Sequence, residues 1–284
     1  MIAKHLAPRE PLTAAFVERE YNNRELVPEH TQFFARWEKD SEFVRATLAC
    51  RLDLAYGPDP RHRIDLFPAE SARGLLVFIH GGYWRGLDKR MFSWLAASYV
   101  SAGVSVALVN YRLCPQVGIA DIVDDVVLGV NWLFANAPKL GAPMDRVVVC
   151  GHSAGGHLTA ALFAAPREQL AFDPARIAGG VPVSGIYDFS PLPIFSGNAE
   201  FRLDAASARQ LDLYDRPTTI KAPLVVVAGA AESAEFVRQS QLYSEMMAAQ
   251  VRAFHLMPGL HHFSVVDALA ERGQAPHEAT LALF

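Results

Sequence analysis

Two short segments of the chain alternate apolar and polar residues. They read CRLDLAYG and HRIDLFPA and lie between residues 50 and 69. A period of two is typical of strands that bury only one face, as strands at the edge of a sheet do. The pattern therefore predicts two edge strands that could pair as a hairpin.

Six later segments are continuously apolar, and amphipathic segments separate them. The runs are GLLVFIH from Gly74, VSVALVNY from Val104, RVVVCG from Arg146, GGVPVSG from Gly179, PLVVVAG from Pro223 and RAFHLMPG from Arg252. Strands that are apolar on both faces belong to a parallel sheet covered by helices. Because the amphipathic segments supply such helices, the pattern predicts a doubly wound α/β sheet.

No repeat, linker or low-complexity tract divides the 284 residues, so we expect a single α/β domain over residues 1–284. Residues 1–45 form a polar, helix-prone N-terminal extension to it. Residues 189–221 interrupt the alternation of strands and helices and are rich in Pro, Ser and Asp. Long interruptions in a regular fold are often a lid or an active-site wall, although a surface insertion is equally consistent with the pattern.

The overall composition narrows the possible partners. With 51% hydrophobic and 20% charged residues, the chain is typical of a globular protein. A net charge of −4 provides no basic face for nucleic acid or an anionic membrane. No apolar run approaches the ~20 residues of a membrane span, and the N-terminus lacks the apolar segment of a signal peptide. We expect a soluble, cytoplasmic protein.

The cysteines and histidines do not indicate a metal centre. Cys50, Cys114 and Cys150 are an odd number at unrelated spacings, so we interpret them as small core residues. The ten histidines show no spacing typical of metal ligands. The sequence therefore predicts neither a metal nor an organic cofactor.

The segment GHSAGG follows the apolar run RVVVC and precedes the helical pattern AGGHLTAALFAA. It contains the pattern Gly-x-Ser-x-Gly around Ser153, which by itself is common. Its position between a strand and a helix is typical of a nucleophile elbow, a strained turn that exposes a serine hydroxyl. We therefore predict Ser153 as a nucleophile.

A second glycine-rich segment, HGGYWRG, follows the run GLLVFIH. A serine nucleophile requires backbone N–H donors for the oxyanion, and tandem glycines after this strand are the expected source of one of them. We predict an oxyanion hole formed by Gly82 and Ala154, with Gly81 as a further donor. A glycine-rich turn without a binding role is the alternative.

In this arrangement the acid follows the nucleophile, and the base comes last in the chain. Glu232 lies after the penultimate strand, which is the usual position of the acid; Asp188 remains the alternative. The base is expected in the loop after the last strand, where His261 and His262 are adjacent. His255 falls inside that strand, so we expect it to be structural.

Five segments together resemble the kynurenine formamidase (arylformamidase) family of α/β-hydrolases, neighbours of the hormone-sensitive-lipase-type carboxylesterases. They are HGGYW, GHSAGGHL, VSGIYDFSP, ESAEFVRQS and GLHHF, and the similarity extends to EREYNNR and AYGPDPRHRIDLFP nearer the N-terminus. The resemblance implies an α/β-hydrolase fold, a mostly parallel sheet with helices on both faces and a short lid-like insertion. It also implies that Glu232 is the triad acid and His262 the base.

The chain departs from the family pattern at two positions. Glu232 stands where the family's DSPEF-like segment has Asp, and His261 stands where its DHF-like segment has an acidic residue. A glutamate can still hold the histidine tautomer through one carboxylate oxygen. For His261 we expect loop support or pocket lining.

These features predict a serine hydrolase that forms an acyl-enzyme from a small-molecule substrate. The resemblance implies N-formylkynurenine, and Tyr83, Trp84, Tyr187 and Phe263 could line an aryl pocket. The same side chains suit a general short-chain carboxylesterase, and a non-catalytic binding protein is a third hypothesis. A homodimer is compatible with the sequence.

Overall fold

Eight strands form one sheet at the centre of the computed structural model, which describes residues 10–214 and 216–284. The strands are β1 (Arg51–Ala55), β2 (Arg63–Phe67), β3 (Leu75–Ile79), β4 (Ser105–Val109), β5 (Val147–His152), β6 (Ile177–Val183), β7 (Leu224–Gly229) and β8 (Val251–Met257). Their order across the sheet is β1-β2-β4-β3-β5-β6-β7-β8. The nucleophile candidate Ser153 directly follows β5, which is a central strand.

The strand pairing follows the hydrophobic pattern. The two alternating segments form the antiparallel pair β1 and β2, and β2 pairs antiparallel with β4. The six apolar runs form parallel pairs from β4 through β8. Leu75, Val77 and Ile79 of β3 pack into one hydrophobic core, whereas Leu76 and Phe78 pack into a second core on the opposite face. The predicted α/β-hydrolase fold is confirmed.

Helices and short 3-10 segments cover the sheet. The α-helices are α1 (Ala14–Tyr21), α2 (Asn23–Leu26), α3 (His30–Thr47), α4 (Ala96–Ser101), α5 (Ile119–Asn136), α6 (Ala154–Phe163), α7 (Asn198–Phe201), α8 (Ala205–Leu211), α9 (Ala234–Met246), α10 (Ser264–Ala270) and α11 (Ala275–Leu281). The 3-10 segments are Lys89–Leu95, Ala137–Leu140, Arg167–Gln169, Pro174–Arg176 and Leu192–Ile194. No helix of the described residues is long and apolar enough to cross a membrane.

The predicted N-terminal extension, residues 1–45, contains α1, α2 and most of α3, while residues 1–9 lie outside the described part of the chain. A buried hydrogen-bond network fastens α1 to α9. The Tyr21 hydroxyl donates to Glu235 Oε2 at 3.0 Å and accepts from Gln239 Nε2 at 2.7 Å. The Tyr83 hydroxyl donates to the backbone carbonyl of Tyr21. These contacts fix the end of α1 beside the loop after β3.

The interrupted segment, residues 189–221, contains α7, α8 and the 3-10 turn Leu192–Ile194. Residue 215 within it lies outside the described residues. Phe195 stacks on Tyr83 with ring centroids 5.4 Å apart, and Arg85 pairs with Glu200 at 2.6 Å. This part of the segment therefore packs against the loop after β3.

We predict that Tyr21→Phe lowers the free energy of unfolding by about 1–3 kcal/mol, because it removes two buried hydrogen bonds, one donated to Glu235 and one accepted from Gln239. Urea unfolding measures the change. Tyr243→Phe is the matched control: Tyr243 is also buried, but its hydroxyl makes no hydrogen bond to another described residue. Equal losses in the two variants would contradict a stabilising role for the network.

Candidate active site

Ser153 occupies a sharp turn between β5 and α6, with φ 57° and ψ −117°. Close packing explains the flanking glycines. A Cβ atom on Gly151 would lie 2.1 Å from the carbonyl oxygen of Gly155, and one on Gly155 would lie 2.0 Å from that of Ile79. Side chains cannot occupy either position, so the Gly-x-Ser-x-Gly pattern is a steric requirement of this strained turn.

Glu232 and His262 lie in direct contact. His262 Nδ1 is 2.7 Å from Glu232 Oε2, and the Glu232 side chain is completely buried. Glu232 Oε1 accepts hydrogen bonds from Ser184 Oγ and from the Gly229 backbone N–H, each at 2.6 Å. Three hydrogen-bond partners thus surround the buried carboxyl group and fix its orientation. Sequence reasoning assigned no role to Ser184, although it lies in the segment VSGIYDFSP that carries part of the family resemblance.

Asp188, the alternative acid, lies in a different environment. Its Oδ1 accepts a hydrogen bond from the Ser190 N–H at 2.9 Å, and its Oδ2 lies 3.8 Å from the Arg238 guanidinium. These contacts organise the loop after β6, and Asp188 makes no hydrogen bond to His262 among the described residues. Of the two candidate carboxylates, the structure brings Glu232 to the histidine.

Two backbone N–H groups next to Ser153 are free. Within residues 10–214 and 216–284, neither Gly82 nor Ala154 donates a backbone hydrogen bond. Gly82 has φ 111°, and a Cβ there would lie 2.2 Å from the carbonyl oxygen of Gly86. A Cβ on Gly81 would lie 3.2 Å from the Ser153 Cβ. The predicted oxyanion residues therefore lie beside the serine, with two unpaired donors among them.

One surface cavity contains Ser153, His262 and Gly82 in its wall. The other lining residues are Asn22, Asn23, Arg24, Phe34, Trp37, Tyr83, Arg85, Leu87, His152, Phe195 and Phe263. The cavity is therefore built from the predicted site, the loop after β3, the N-terminal helices and the 189–221 segment.

Two of the four predicted aromatic residues line this cavity, namely Tyr83 and Phe263. Trp84 and Tyr187 are core residues instead, which corrects their predicted role. The Trp84 ring packs within 5.7 Å of the Phe189 and Phe201 rings, and Tyr187 stacks on Tyr243 at 4.1 Å. Both rings are completely buried, so neither can meet a ligand in the cavity.

Sequence reasoning missed the contribution of the N-terminal helices. Asn22, Asn23 and Arg24 at the start of α2, and Phe34 and Trp37 of α3, line the cavity. The segment EREYNNR is marked in the sequence only by the family resemblance. Its local pattern indicates a helix and gives no sign that the helix reaches a site more than 100 residues further along the chain.

His261 and His262 have different environments. His261 Nδ1 accepts from the backbone N–H groups of Phe263 and Ser264, at 3.2 and 3.3 Å, at the start of α10. The Ser264 hydroxyl in turn accepts from the His261 N–H at 2.9 Å. His261 therefore supports the loop and the first turn of α10, and it lines a second cavity together with Glu232.

Comparison with known proteins places the chain among hydrolases. A family model described as BD-FAE matches residues 65–191. A crystal structure of a proposed thioesterase from Silicibacter sp. TM1040 is 34% identical, with a TM-score of 0.81, and the match covers 91% of this chain and 96% of that one. The chain belongs to the kynurenine formamidase-like family of α/β-hydrolases.

Curated relatives of this α/β-hydrolase are named for two related activities. The kynurenine formamidase of Drosophila melanogaster is 27% identical over 76% of each chain. A probable isoprenylcysteine alpha-carbonyl methylesterase of Arabidopsis thaliana is 27% identical over 72% of this chain and 54% of its own length. These relatives agree on hydrolysis of a carbonyl compound and differ in the substrate.

The described residues contain no group of three or more His, Cys, Asp or Glu side chains that could hold a metal ion. Three histidines near the serine are instead buried. Burial lowers the pKa of His80 to about 4 and that of His157 to about 3, and it lowers the pKa of His152 well below its usual value. Neutral imidazoles are therefore part of the folded hydrolase.

These lowered pKa values predict that the hydrolase loses stability as the pH falls. Below about pH 6.5 each of these histidines takes up a proton in the unfolded state but stays neutral in the folded state. The free energy of unfolding therefore decreases as the pH falls below that value. At pH 5 we expect a loss of about 2 kcal/mol per histidine relative to pH 7.5. Urea unfolding at both pH values measures it. In His157→Gln the loss of stability between pH 7.5 and pH 5 should be smaller by the contribution of one histidine. The same loss in this variant as in the wild type would contradict a neutral, buried His157.

Proposed function

We propose that this hydrolase cleaves N-formylkynurenine to kynurenine and formate through a triad of Ser153, His262 and Glu232. The observation that carries the proposal is the 2.7 Å contact between His262 and a buried Glu232, beside a serine in a strained strand-to-helix turn. Both Ser153 and His262 line the cavity. The relatives named kynurenine formamidase support the choice of substrate.

In the first half of the reaction, Ser153 Oγ attacks the formyl carbon while His262 Nε2 takes the hydroxyl proton. Glu232 holds Nδ1–H and stabilises the imidazolium that forms. The N–H groups of Gly82 and Ala154, with Gly81 as a further donor, bind the oxyanion, and each such donor is worth about 3 kcal/mol. His262 then protonates the departing aryl amine, which leaves a formyl-serine ester.

In the second half, a water molecule attacks the formyl-serine and gives its proton to His262. The tetrahedral intermediate collapses, His262 returns the proton to Ser153 Oγ, and formate leaves. Neither half requires a redox partner. The cavity lining includes Tyr83, Phe195 and Phe263, whose rings provide aromatic surface for the aryl ring of the substrate.

Hydrolysis of small aryl or acyl esters is the second candidate function. The methylesterase relatives favour it, as do the two departures from the family pattern at Glu232 and His261. The same triad and oxyanion donors would serve an ester, whose alcohol leaves more readily than an amine. A binding protein without turnover is the third possibility, and an intact serine, histidine and acid argue against it.

We predict that His262→Ala lowers kcat by about three orders of magnitude or more, whereas His261→Ala costs less than about tenfold. Glu232→Gln should likewise cost far more than Asp188→Asn. A serine-directed phosphonate should label the wild-type protein but not Ser153→Ala, which checks that the serine is reactive. Equal losses from both histidine variants, or a large loss only in Asp188→Asn, would contradict the triad.

The substrate is tested by the ratio of kcat/KM for N-formylkynurenine to kcat/KM for phenyl acetate. We expect N-formylkynurenine to be the better substrate, because its leaving group is larger than phenol and can make further contacts with the cavity that raise the affinity for the transition state. Ser153→Ala provides the background rate for both compounds. Rapid turnover of the ester with negligible turnover of the formamide would show that the chain is an esterase instead.

A further inference from the structure

The side chain of His152 connects the nucleophile turn to the base. His152 is the last residue of β5 and directly precedes Ser153, and it is 4% exposed. Its ring Nε2 lies 2.8 Å from the backbone carbonyl oxygen of His262. Because a carbonyl oxygen only accepts hydrogen bonds, Nε2 carries a proton and is the donor. One side chain thus joins the end of a central strand to the loop after β8.

This hydrogen bond is the one that fastens the main chain of the base. Within residues 10–214 and 216–284, the His262 carbonyl accepts no other hydrogen bond and the His262 N–H donates none. The first turn of α10 begins only at Ser264. Glu232 holds the imidazole itself, through Nδ1. The ring of the base and the backbone that carries it therefore have separate hydrogen-bond partners.

Packing on both sides fixes the His152 ring. Its centroid lies 4.6 Å from that of the His262 ring. On the other side a Cβ atom on Gly81 would lie 3.2 Å from His152 Nδ1, so the imidazole packs closely against a glycine of the oxyanion loop. Burial lowers the pKa of His152 well below its usual value. The donor is therefore held rigidly, and its neutral ring does not repel the imidazolium that forms at His262.

We propose that His152 is a positioning residue for hydrolysis, whose Nε2–H holds the backbone of His262 so that the imidazole is presented to Ser153. The proposal rests on the triad of the proposed function and adds a residue that acts through the base. Glu232 fixes the rotation of the imidazole, whereas His152 fixes the chain that carries it. Proton transfer requires the base within hydrogen-bond reach of the serine hydroxyl, and a misplacement of about 1 Å can cost about 100-fold in rate.

Three variants of His152 separate the donor from the ring. The Gln amide can place an N–H where Nε2 lies, the Asn amide is one methylene too short, and Phe keeps a ring without a donor. We expect His152→Asn and His152→Phe to lower kcat by about 10- to 100-fold with KM within about threefold of wild type, and His152→Gln to stay within about fivefold of wild-type kcat. Phenyl acetate or N-formylkynurenine is the substrate, whichever the wild type hydrolyses faster, and thermal unfolding checks that each variant is folded. Unchanged kcat in Asn and Phe, an equal loss in Gln, or an effect confined to KM would overturn the proposal.

A double variant shows whether His152 acts through the base. In the His262→Ala background there is no imidazole to position, so adding His152→Phe should change the residual rate by less than about twofold. A loss comparable to that in the wild-type background would mean that His152 acts directly on the substrate or on Ser153, and would overturn the proposal. Wild-type protein that neither hydrolyses the two compounds nor reacts with the serine-directed phosphonate would instead refute the proposed function, and the role of His152 with it.

Discussion

The buried carboxylate of Glu232 is the interaction on which the rest of the site depends. A carboxyl group without exposure to water requires hydrogen-bond partners, and three reach Glu232: Ser184 Oγ, the Gly229 N–H and His262 Nδ1. These donors come from the ends of three neighbouring strands, β6, β7 and β8. The requirement to satisfy one charge therefore fixes three loops relative to one another and holds the imidazole in a single orientation.

A steric constraint fixes the other half of the site. Gly155 lies so close to Ile79 that α6 touches the end of β3, and the loop after β3 carries Gly81 and Gly82 to the serine. The oxyanion donors and the nucleophile are thereby joined through one close contact. Because β3 and β5 are adjacent parallel strands, their carboxyl ends meet at one edge of the sheet, as in other open α/β sheets.

The fold and the polar residues of the site could be predicted because their signals are local. The strands are distinguished by hydrophobic period, and Ser153, Gly82 and Glu232 each lie within three residues of the end of a strand. The direction of an aromatic side chain has no such signal. Tyr83 and Trp84 are adjacent and both have positive φ, yet one ring lines the cavity and the other enters the core against Phe189. Only the packing of distant segments decides between these positions.

The same limit applies to His261, although here the structure explains a departure from the family pattern. An aspartate at this position could cap the first turn of α10 with its carboxylate, as acidic residues commonly do at helix starts. His261 makes the corresponding contacts through Nδ1, which accepts from Phe263 and Ser264. Burial lowers the pKa of His261, so the ring that caps the helix is neutral at physiological pH.

With a neutral His261, position 261 places no negative charge next to His262. During proton transfer the imidazolium of His262 would be stabilised by Glu232 without a second carboxylate from position 261. Because the charge on Glu232 is buried, its effect on the imidazole is screened less by salt than that of an exposed acid. The orientation of the His262 ring therefore depends on Glu232 and on the two other donors that hold this carboxylate, Ser184 Oγ and the Gly229 N–H.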